Sequence, residues 1–249
     1  MIERVFIQAD ADGKFPNIPL YTAARGFEAR GRDVTASTVD EIMGREARPE
    51  HLVLGGAHVV RQYLGRMGVE PPDFDYPQTL IPFLRREFEI EVLGVVRSRY
   101  NEPGDPVFVK PVEHKLFTGH VISRFRDLIK SQEADSTTLV YVVGHVEFVS
   151  EWRFYVERGL VVGADHYRGE PLLFPEPGVV AAAATAMNGC EDAPVAYGLD
   201  FGVCADGVTR LVEANDMFAL GTYGLDGVIY SHLVELRWEQ LVAGVAGSE

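Results

Sequence analysis

Apolar runs of strand length alternate with stretches of helical periodicity over the N-terminal part of the chain. Asn17 can cap a helix that Gly31 then ends, and a second periodic stretch follows Gly55-Gly56. This glycine pair fits a tight strand-to-helix turn better than a phosphate-binding loop, because its spacing lacks the dinucleotide-binding fingerprint. The alternation predicts a small α/β lobe with strands at residues 5–8, 33–36 and 51–54 and helices at 18–30 and 57–66.

Residues 70–77 are proline-rich and aperiodic, which predicts a linker. We therefore divide the chain into an N-terminal lobe, residues 1–77, and a second domain, residues 78–249. The second domain begins with a short helix-like stretch at 79–88, and short strands and hairpins dominate the rest of it. Its predicted strands lie at 92–96, 107–110, 139–143, 146–156 and 160–167, and its later helices at 179–188 and 231–243.

The dipeptide Asp206-Gly207 lies between two alternating apolar runs and predicts a tight hairpin turn. If these two residues form the loop, Asp200 on the first strand lies directly opposite Glu213 on the second. Opposed residues point to the same side of a sheet, and Asn215 shares that side because it lies two residues beyond Glu213. The pattern therefore predicts that two carboxylates and one amide converge on one face of the hairpin.

Two acids that face each other destabilise a hairpin, and a bound divalent cation would reverse this effect. Oxygen ligands from Asp, Glu and Asn suit magnesium. The alternative is a solvated sheet face that happens to be acidic. The carboxamide of Asn215 favours the metal site, as do Gly198 and Gly202, which flank Asp200 and are expected to leave open space above it.

A second polar face is expected on the strand at 146–156, where alternation places Glu151 and Arg153 on one side. Taken alone, such a pair is more often a surface ion pair than part of a functional site. Surface ion pairs contribute little to stability, so this alternative predicts little loss of fold when either residue is changed.

Lys110 ends the apolar run at 107–110. A lysine in this position can place a positive charge on a phosphate, or it can lie at a solvated strand end. The following segment, residues 113–119, has the composition of a mobile loop, from which His114 or Lys115 can cover phosphates.

The formal net charge of −14 argues against a general nucleic-acid binder, which usually carries a basic surface. No apolar run reaches the about 20 residues that a membrane-spanning helix needs, and the first residues have no signal-peptide layout. Cys190 and Cys204 form no CxxC motif, which favours free thiols in a reducing compartment. We therefore expect a cytoplasmic protein without nucleic-acid or membrane partners.

Four short motifs follow one another in the second domain: VFVKP at 107–111, VEFVSEWRF at 146–154, YGLD at 197–200 and LVEAND at 211–216. In this order and spacing, and with the run FALGTYG at 218–224, they resemble the ATP-grasp superfamily, in particular a family of small phage and bacterial ATP-grasp proteins first described as a domain of unknown function. The resemblance implies an ATP-grasp fold with a small subdomain at about 90–148, a large subdomain at about 149–249 and an N-terminal, Rossmann-like pre-ATP-grasp lobe.

The resemblance also implies a role for each matching position. The departure from the family pattern is Asp216, because many carboxylate–amine ligases follow the metal-binding Asn with a small residue and proline. This departure leaves the acceptor side of the site open. By position, Lys110 contacts the α- and β-phosphates, backbone groups of Glu147, Phe148 and Val149 meet adenine, Glu151 lies near the ribose, Arg153 faces the γ-phosphate, and Asp200, Glu213 and Asn215 bind magnesium.

The function that the resemblance implies is an ATP- and Mg²⁺-dependent carboxylate–amine ligase that forms an amide through an acyl-phosphate. Its substrates would be a small-molecule or peptide carboxylate and an amine, and family analogy makes a homodimer the expected assembly. Three alternatives stay open: an ATP-dependent phosphotransferase, a nucleotide-binding module without turnover, and an α/β protein that binds a sugar or peptide. Replacing Asp200 or Glu213 by alanine is expected to abolish turnover and to leave the fold intact.

Overall fold

The computed structural model of the protein describes residues 2–72, 75–100, 102–113 and 116–245. Three β-sheets with helices packed against them confirm the mixed α/β class that the sequence predicts. Within these described ranges, no helix combines the length and the apolar character that crossing a membrane requires.

The N-terminal lobe is built on a three-stranded parallel sheet in the order β2-β1-β3. Val5, Phe6 and Ile7 of the middle strand are all buried, as expected for a parallel strand covered by helices on both faces. The structure adds a short helix that the sequence analysis missed, where Thr38 and Glu41 form a capping box. The elements are β1 (Arg4–Gln8), α1 (Ile18–Ala29), β2 (Val34–Ser37), α2 (Val39–Gly44), β3 (His51–Leu54) and α3 (Ala57–Gly65).

A four-stranded antiparallel sheet, here called the small sheet, has the strand order β4-β7-β5-β6. The strand predicted at 92–96 is wrong, because a helix begins at Leu93 and buries Leu93 and Val96 on one side. A short apolar run fits a strand and a buried helical turn equally well, so periodicity alone does not separate them. The elements are α4 (Ile81–Leu84), β4 (Phe88–Val92), α5 (Leu93–Arg99), β5 (Val107–Pro111), β6 (His120–Ile122) and β7 (Leu139–Gly144).

A second four-stranded antiparallel sheet, here called the large sheet, has the order β11-β10-β8-β9. Strand β10 lies inside it and is buried along its whole length. The apolar face of this sheet packs against α6, where Val180, Ala184 and Met187 join Phe154 and Phe201 in one core. The elements are β8 (Phe148–Glu157), β9 (Leu160–Gly169), α6 (Pro177–Asn188), β10 (Ala196–Cys204), β11 (Thr209–Asp216) and α7 (Gly227–Val242).

The last helix, α7, shares the apolar core of the N-terminal lobe although it lies at the other end of the chain. The indole nitrogen of Trp238 donates to the carbonyl of Pro49 at 2.8 Å, and its ring packs against Tyr63. Helices α1 and α7 approach most closely at Gly26 and Gly227. The division at residues 77 and 78 therefore stays a prediction about chain order, because the N-terminal core draws on both ends of the chain.

Replacing Gly26 by alanine tests this helix contact. A Cβ at position 26 would lie 1.8 Å from the carbonyl oxygen of Gly227, so one of the helices must move. We expect the free energy of unfolding to fall by about 2 kcal/mol or more, measured by urea denaturation. Gly65→Ala is the matched control, since a Cβ there meets nothing within 4 Å, and a helical alanine is expected to be neutral or mildly stabilising. Equal stability of the two variants would contradict the close packing of α1 on α7.

Candidate active site

The hairpin of β10 and β11 sets Asp200 opposite Glu213, as the sequence predicts. The route to this pairing differs from the expectation, because the turn is longer than two residues and the amide of Cys204 donates to the carbonyl of Val208. Near the turn the register is therefore one residue out. A β-bulge next to Asp200, in which Val212 is the extra residue, restores it. The two carboxylates thus share one face of the large sheet.

The expectation that Gly198 and Gly202 leave open space above Asp200 is wrong. A Cβ at position 202 would lie 2.1 Å from the ring of Phe148, and one at position 198 would lie 2.7 Å from a methyl group of Leu220. The two glycines accommodate side chains that pack directly on the sheet. The sequence identified the positions where bulk is excluded, but it did not reveal what fills the space.

Arg153 holds Asp200 through two parallel hydrogen bonds from Nε and Nη2, each 2.7 Å long. Both side chains are buried, with 8% and 4% of their surface exposed. Burial raises the pKa of the Asp200 carboxyl to about 6 although the Arg153 guanidinium acts to lower it, and the charge of Glu213 raises it further. This buried, bidentate pair fixes the position of the Asp200 carboxylate on the sheet.

Lys110 lies on β5 of the small sheet and reaches across to the large sheet. Its Nζ is 2.9 Å from Glu213 Oε2 and 2.9 Å from Asp75 Oδ1. Burial acts to lower the pKa of Lys110, but the carboxylates of Glu213 and Asp75 raise it by more, so this ammonium stays charged. On the other side of Glu213, the Asn215 amide donates to Oε1 at 3.3 Å. The structure therefore brings Lys110, Glu213 and Asn215 together.

A cavity of about 590 Å³ opens between the two sheets at this point. The rings of Phe108 and Phe117 line its small-sheet side, and Lys110 and Glu213 line its charged side. An apolar wall beside a few converging charged groups is typical of a small-molecule site. The predicted phosphate-covering residues, His114 and Lys115, lie outside the described residues.

Glu151 and Arg153 share one side of β8, as predicted, but they do not pair with each other. Glu151 is buried and accepts hydrogen bonds from the hydroxyl of Tyr167 at 2.9 Å and from Arg168 at 2.8 Å. Tyr167 stacks on Tyr223, whose ring lies 4.8 Å from the Arg153 guanidinium. The sequence analysis missed both tyrosines. Tyr167 reaches this face because it is the extra residue of a bulge in β9, which no periodicity predicts.

Glu147, Phe148 and Val149, predicted to meet adenine, lie where the chain passes from β7 of the small sheet to β8 of the large sheet. Arg86 supports this passage from behind. Its guanidinium lies 5.5 Å from the Phe148 ring and donates to the carbonyls of Gly144 and Leu211. The connection is therefore attached to both sheets, so its backbone is held at the mouth between them.

Asp216, the departure from the family pattern, points to the opposite side of β11 from Asn215. Both of its oxygens accept hydrogen bonds from Arg237 on α7, with distances of 2.6 to 3.1 Å, and both side chains are buried. Asp216 therefore links the end of β11 to the helix that packs on the N-terminal lobe, and it lies on the other side of the strand from the three predicted metal ligands.

The donor set fits a hard divalent cation such as magnesium, because Asp200, Glu213 and Asn215 offer oxygen atoms on one face. The Lys110 ammonium, 2.9 Å from Glu213, is a cation that this position already stabilises. Over the part of the chain that the structure describes, three or more His, Cys, Asp or Glu side chains are nowhere grouped closely enough to hold a metal ion without other ligands. The amide of Asn215 is therefore an essential part of the predicted set.

The sequence of residues 83–233 matches the model of an ATP-grasp domain family, the second family of its clade. This match covers more than half of the chain, so the protein belongs to this ATP-grasp family. No curated protein matches its sequence.

Solved structures of similar fold agree with this assignment. A RimK domain ATP-grasp protein from Sphaerobacter thermophilus has a TM-score of 0.57 at 14% identity, with 94% of this chain and 99% of that chain covered. The D-cycloserine synthetase DcsG has a TM-score of 0.56 at 16% identity, with 95% and 99% covered. The D-alanine–D-alanine ligase of Bacillus anthracis, solved with ATP, has a TM-score of 0.52 at 13% identity, with 99% of each chain covered. At such identities the likeness establishes the ATP-grasp fold and not the reaction.

Arg153→Met and Arg168→Met form a matched pair of tests, since each removes an arginine bound to a carboxylate of this face. Methionine at position 153 leaves Asp200 buried without its counter-charge, and we expect the free energy of unfolding to fall by about 3 kcal/mol or more. The side chain of Arg168 is 73% exposed, so its replacement should cost less than about 1 kcal/mol. Urea denaturation measures both, and equal losses would show that the buried pair is not a structural constraint.

Proposed function

We propose that the protein is an ATP- and Mg²⁺-dependent ligase that joins a carboxylate to an amine through an acyl-phosphate. The observation that carries the proposal is the meeting of Lys110 and Glu213 across the cavity between the two sheets. A cationic group from one sheet and acids from the other are what a triphosphate with a bound divalent cation requires.

Each nucleotide contact has a residue in a suitable place. Lys110 can move its ammonium from Glu213 to the α- and β-phosphates, because the cavity begins at its Nζ. The backbone between β7 and β8, at Glu147, Phe148 and Val149, would hold adenine at the mouth between the sheets. Glu151 would lie near the ribose on the same side of β8 as Arg153.

Asp200, Glu213 and Asn215 would hold magnesium, which when bound supplies positive charge that neutralises the phosphates. The hydrogen bonds to Asp200 use Nε and Nη2 of Arg153, so Nη1 is the donor that we assign to the transferring phosphoryl group. Its planar guanidinium can hold Asp200 and the phosphoryl group at the same time. In this scheme Arg153 and Lys110 act by charge and orientation.

The proposed reaction has two steps. An oxygen of the substrate carboxylate attacks the γ-phosphorus, the bond to the β-phosphate oxygen breaks, and an acyl-phosphate and ADP result. The amine then attacks the acyl carbon, the carbon–oxygen bond to phosphate breaks, and the amine loses a proton as the amide and inorganic phosphate form. Both steps proceed without a nucleophile from the protein, which agrees with the absence of any nucleophilic cysteine or serine from the predicted site.

The relatives support a ligase reaction in general terms. The structures of similar fold include an enzyme named D-cycloserine synthetase and one named D-alanine–D-alanine ligase, the latter in complex with ATP. Both names denote small-molecule products, and the cavity of about 590 Å³ can hold a ligand of nucleotide size. We therefore propose a small-molecule or peptide carboxylate and an amine as the substrates.

An ADP-release screen with Mg-ATP and a panel of amino acids and short peptides tests the proposal. ADP formation that depends on both a carboxylate and an amine supports the ligase. ADP formation without the amine would indicate a phosphotransferase. Calorimetric binding of Mg-ATP without turnover would indicate a nucleotide-binding module, and a lack of binding would exclude the nucleotide site.

Glu213→Gln tests the metal ligand. The variant keeps the shape of the side chain, and Lys110 retains Asp75 as a partner, so we expect the fold to be kept. Loss of one carboxylate charge should lower magnesium-dependent ADP formation by about a hundredfold or more. Glu191→Gln, which removes an exposed charge from a turn, is the control and should keep full activity. Full activity of Glu213→Gln would remove this residue from the site.

Gly202→Ala tests the adenine contact. Its new Cβ would lie 2.1 Å from the Phe148 ring, so the connection between β7 and β8 must shift. We expect the KM for ATP to rise about tenfold with a smaller change in kcat, because the displaced backbone contributes to binding and not to the chemical step. Gly44→Ala, where a Cβ meets nothing within 4 Å, is the control. An unchanged KM in Gly202→Ala would place adenine elsewhere.

A further inference from the structure

Asp75 belongs to the stretch that the sequence pattern predicts as a linker, yet it lies inside the candidate site. Its Oδ1 is 2.9 Å from Lys110 Nζ, and 16% of its side chain is exposed. It also lines the cavity between the sheets together with Lys110 and Glu213. The family match begins at residue 83, so Asp75 lies outside the segment that carries the resemblance to ATP-grasp domains.

The backbone around Asp75 is attached to both sheets. Its carbonyl oxygen accepts a hydrogen bond of 2.9 Å from the amide of Ala214, which lies between Glu213 and Asn215 on β11. The next residue, Tyr76, is buried, with ring contacts of 5.7 Å to Phe88 and 5.1 Å to Tyr141 of the small sheet. The Asp75 carboxylate is therefore held at a defined place beside the metal-binding strand.

Lys110 has two carboxylate partners with different further demands on them. Glu213 is also a predicted metal ligand and accepts from Asn215, so it cannot serve a metal ion and the Lys110 ammonium equally. Asp75 comes from a separate segment and holds the same ammonium at the same distance. When a metal ion engages Glu213, Asp75 is the carboxylate that keeps the lysine charge at the edge of the cavity.

We propose that Asp75 is a positioning residue that holds the Lys110 ammonium at the phosphate side of the cavity. This inference rests on the proposed function for the part that concerns phosphate, whereas the contact between Asp75 and Lys110 does not depend on any ligand. Asp75 acts through Lys110 and makes no contact of its own with the reacting atoms.

Asp75→Asn separates this role from a purely structural one. The variant keeps the carbonyl that binds Ala214 and keeps Tyr76 against the small sheet, because neither contact uses the carboxylate. What it removes is the negative charge beside Lys110. Asp192→Asn is the matched control, since it makes the same chemical change at an exposed position in a turn.

The first measurement uses the metal-free protein and no nucleotide. The chain has four lysines, Lys14, Lys110, Lys115 and Lys130, so acylation at each can be followed by peptide mass spectrometry. An ammonium that two carboxylates hold offers little free amine to the reagent. We expect Asp75→Asn to raise the acylation rate of Lys110 about tenfold and to leave the exposed Lys14 and Lys130 unchanged. An unchanged rate at Lys110 would overturn the proposal.

The second measurement is calorimetric binding of Mg-ATP to Asp75→Asn, Lys110→Met and the double variant. If Asp75 acts through Lys110, its replacement weakens binding by about tenfold in the natural protein and by less than about twofold in the Lys110→Met background. Losses that simply multiply in the double variant would overturn the proposal, and so would equal binding by Asp75→Asn and the natural protein. If the natural protein binds no Mg-ATP, the proposed function fails, and the acylation rates alone decide whether Asp75 holds Lys110.

Discussion

The register between β10 and β11 is the constraint on which the candidate site depends. Near the turn, Phe201 pairs with Leu211, and continuing that register would place Asp200 opposite Val212. A slip of one residue reverses the face of every side chain, so Glu213 and Asn215 would then point into the core. The bulge at Val212 absorbs the extra residue, which keeps Leu211 buried below the sheet while Glu213 and Asn215 stay on the upper face. Arg86 supports this irregular segment by donating to the carbonyls of Leu211 and Val212.

The two acids that this register brings together are neutralised in different ways. Asp200 is paired within the large sheet to a buried arginine, an arrangement that is costly to break because either partner alone would be a buried charge. Glu213 is more exposed and pairs with a lysine from the other sheet, so exchange of its partner costs much less. A site that must admit a nucleotide between two sheets requires one fixed and one exchangeable pair. This asymmetry assigns the fixed geometry to Asp200 and the response to a ligand to Glu213 and Lys110.

Much of this arrangement could be predicted from local pattern, and the rest required tertiary contacts. Alternation along the hairpin was sufficient to place Asp200, Glu213 and Asn215 on one face, because a turn that is longer by one residue and a one-residue bulge cancel. The strand expected at 92–96 was wrong because Leu93 and Val96 are also spaced for one side of a helix. The residues that fill the space beside Gly198 and Gly202 come from distant segments, so no local pattern reports them. The roles of the site residues, in contrast, rest on resemblance and stay predictions.

The N-terminal lobe also bears on the metal strand, through a residue that looked anomalous in the sequence. Strand alternation turns Asp216 away from Asn215, and Arg237 holds it from a helix whose Trp238 and Leu233 lie in the core of that lobe. A proline at position 216 could not accept this pair of hydrogen bonds, since it has no side-chain oxygen. The carboxylate that departs from the ligase pattern therefore has a structural reason of its own: it joins the end of β11 to α7, and through α7 to α1 and β3. The position of Asn215 thus depends on the packing of a lobe that contributes none of the predicted metal ligands.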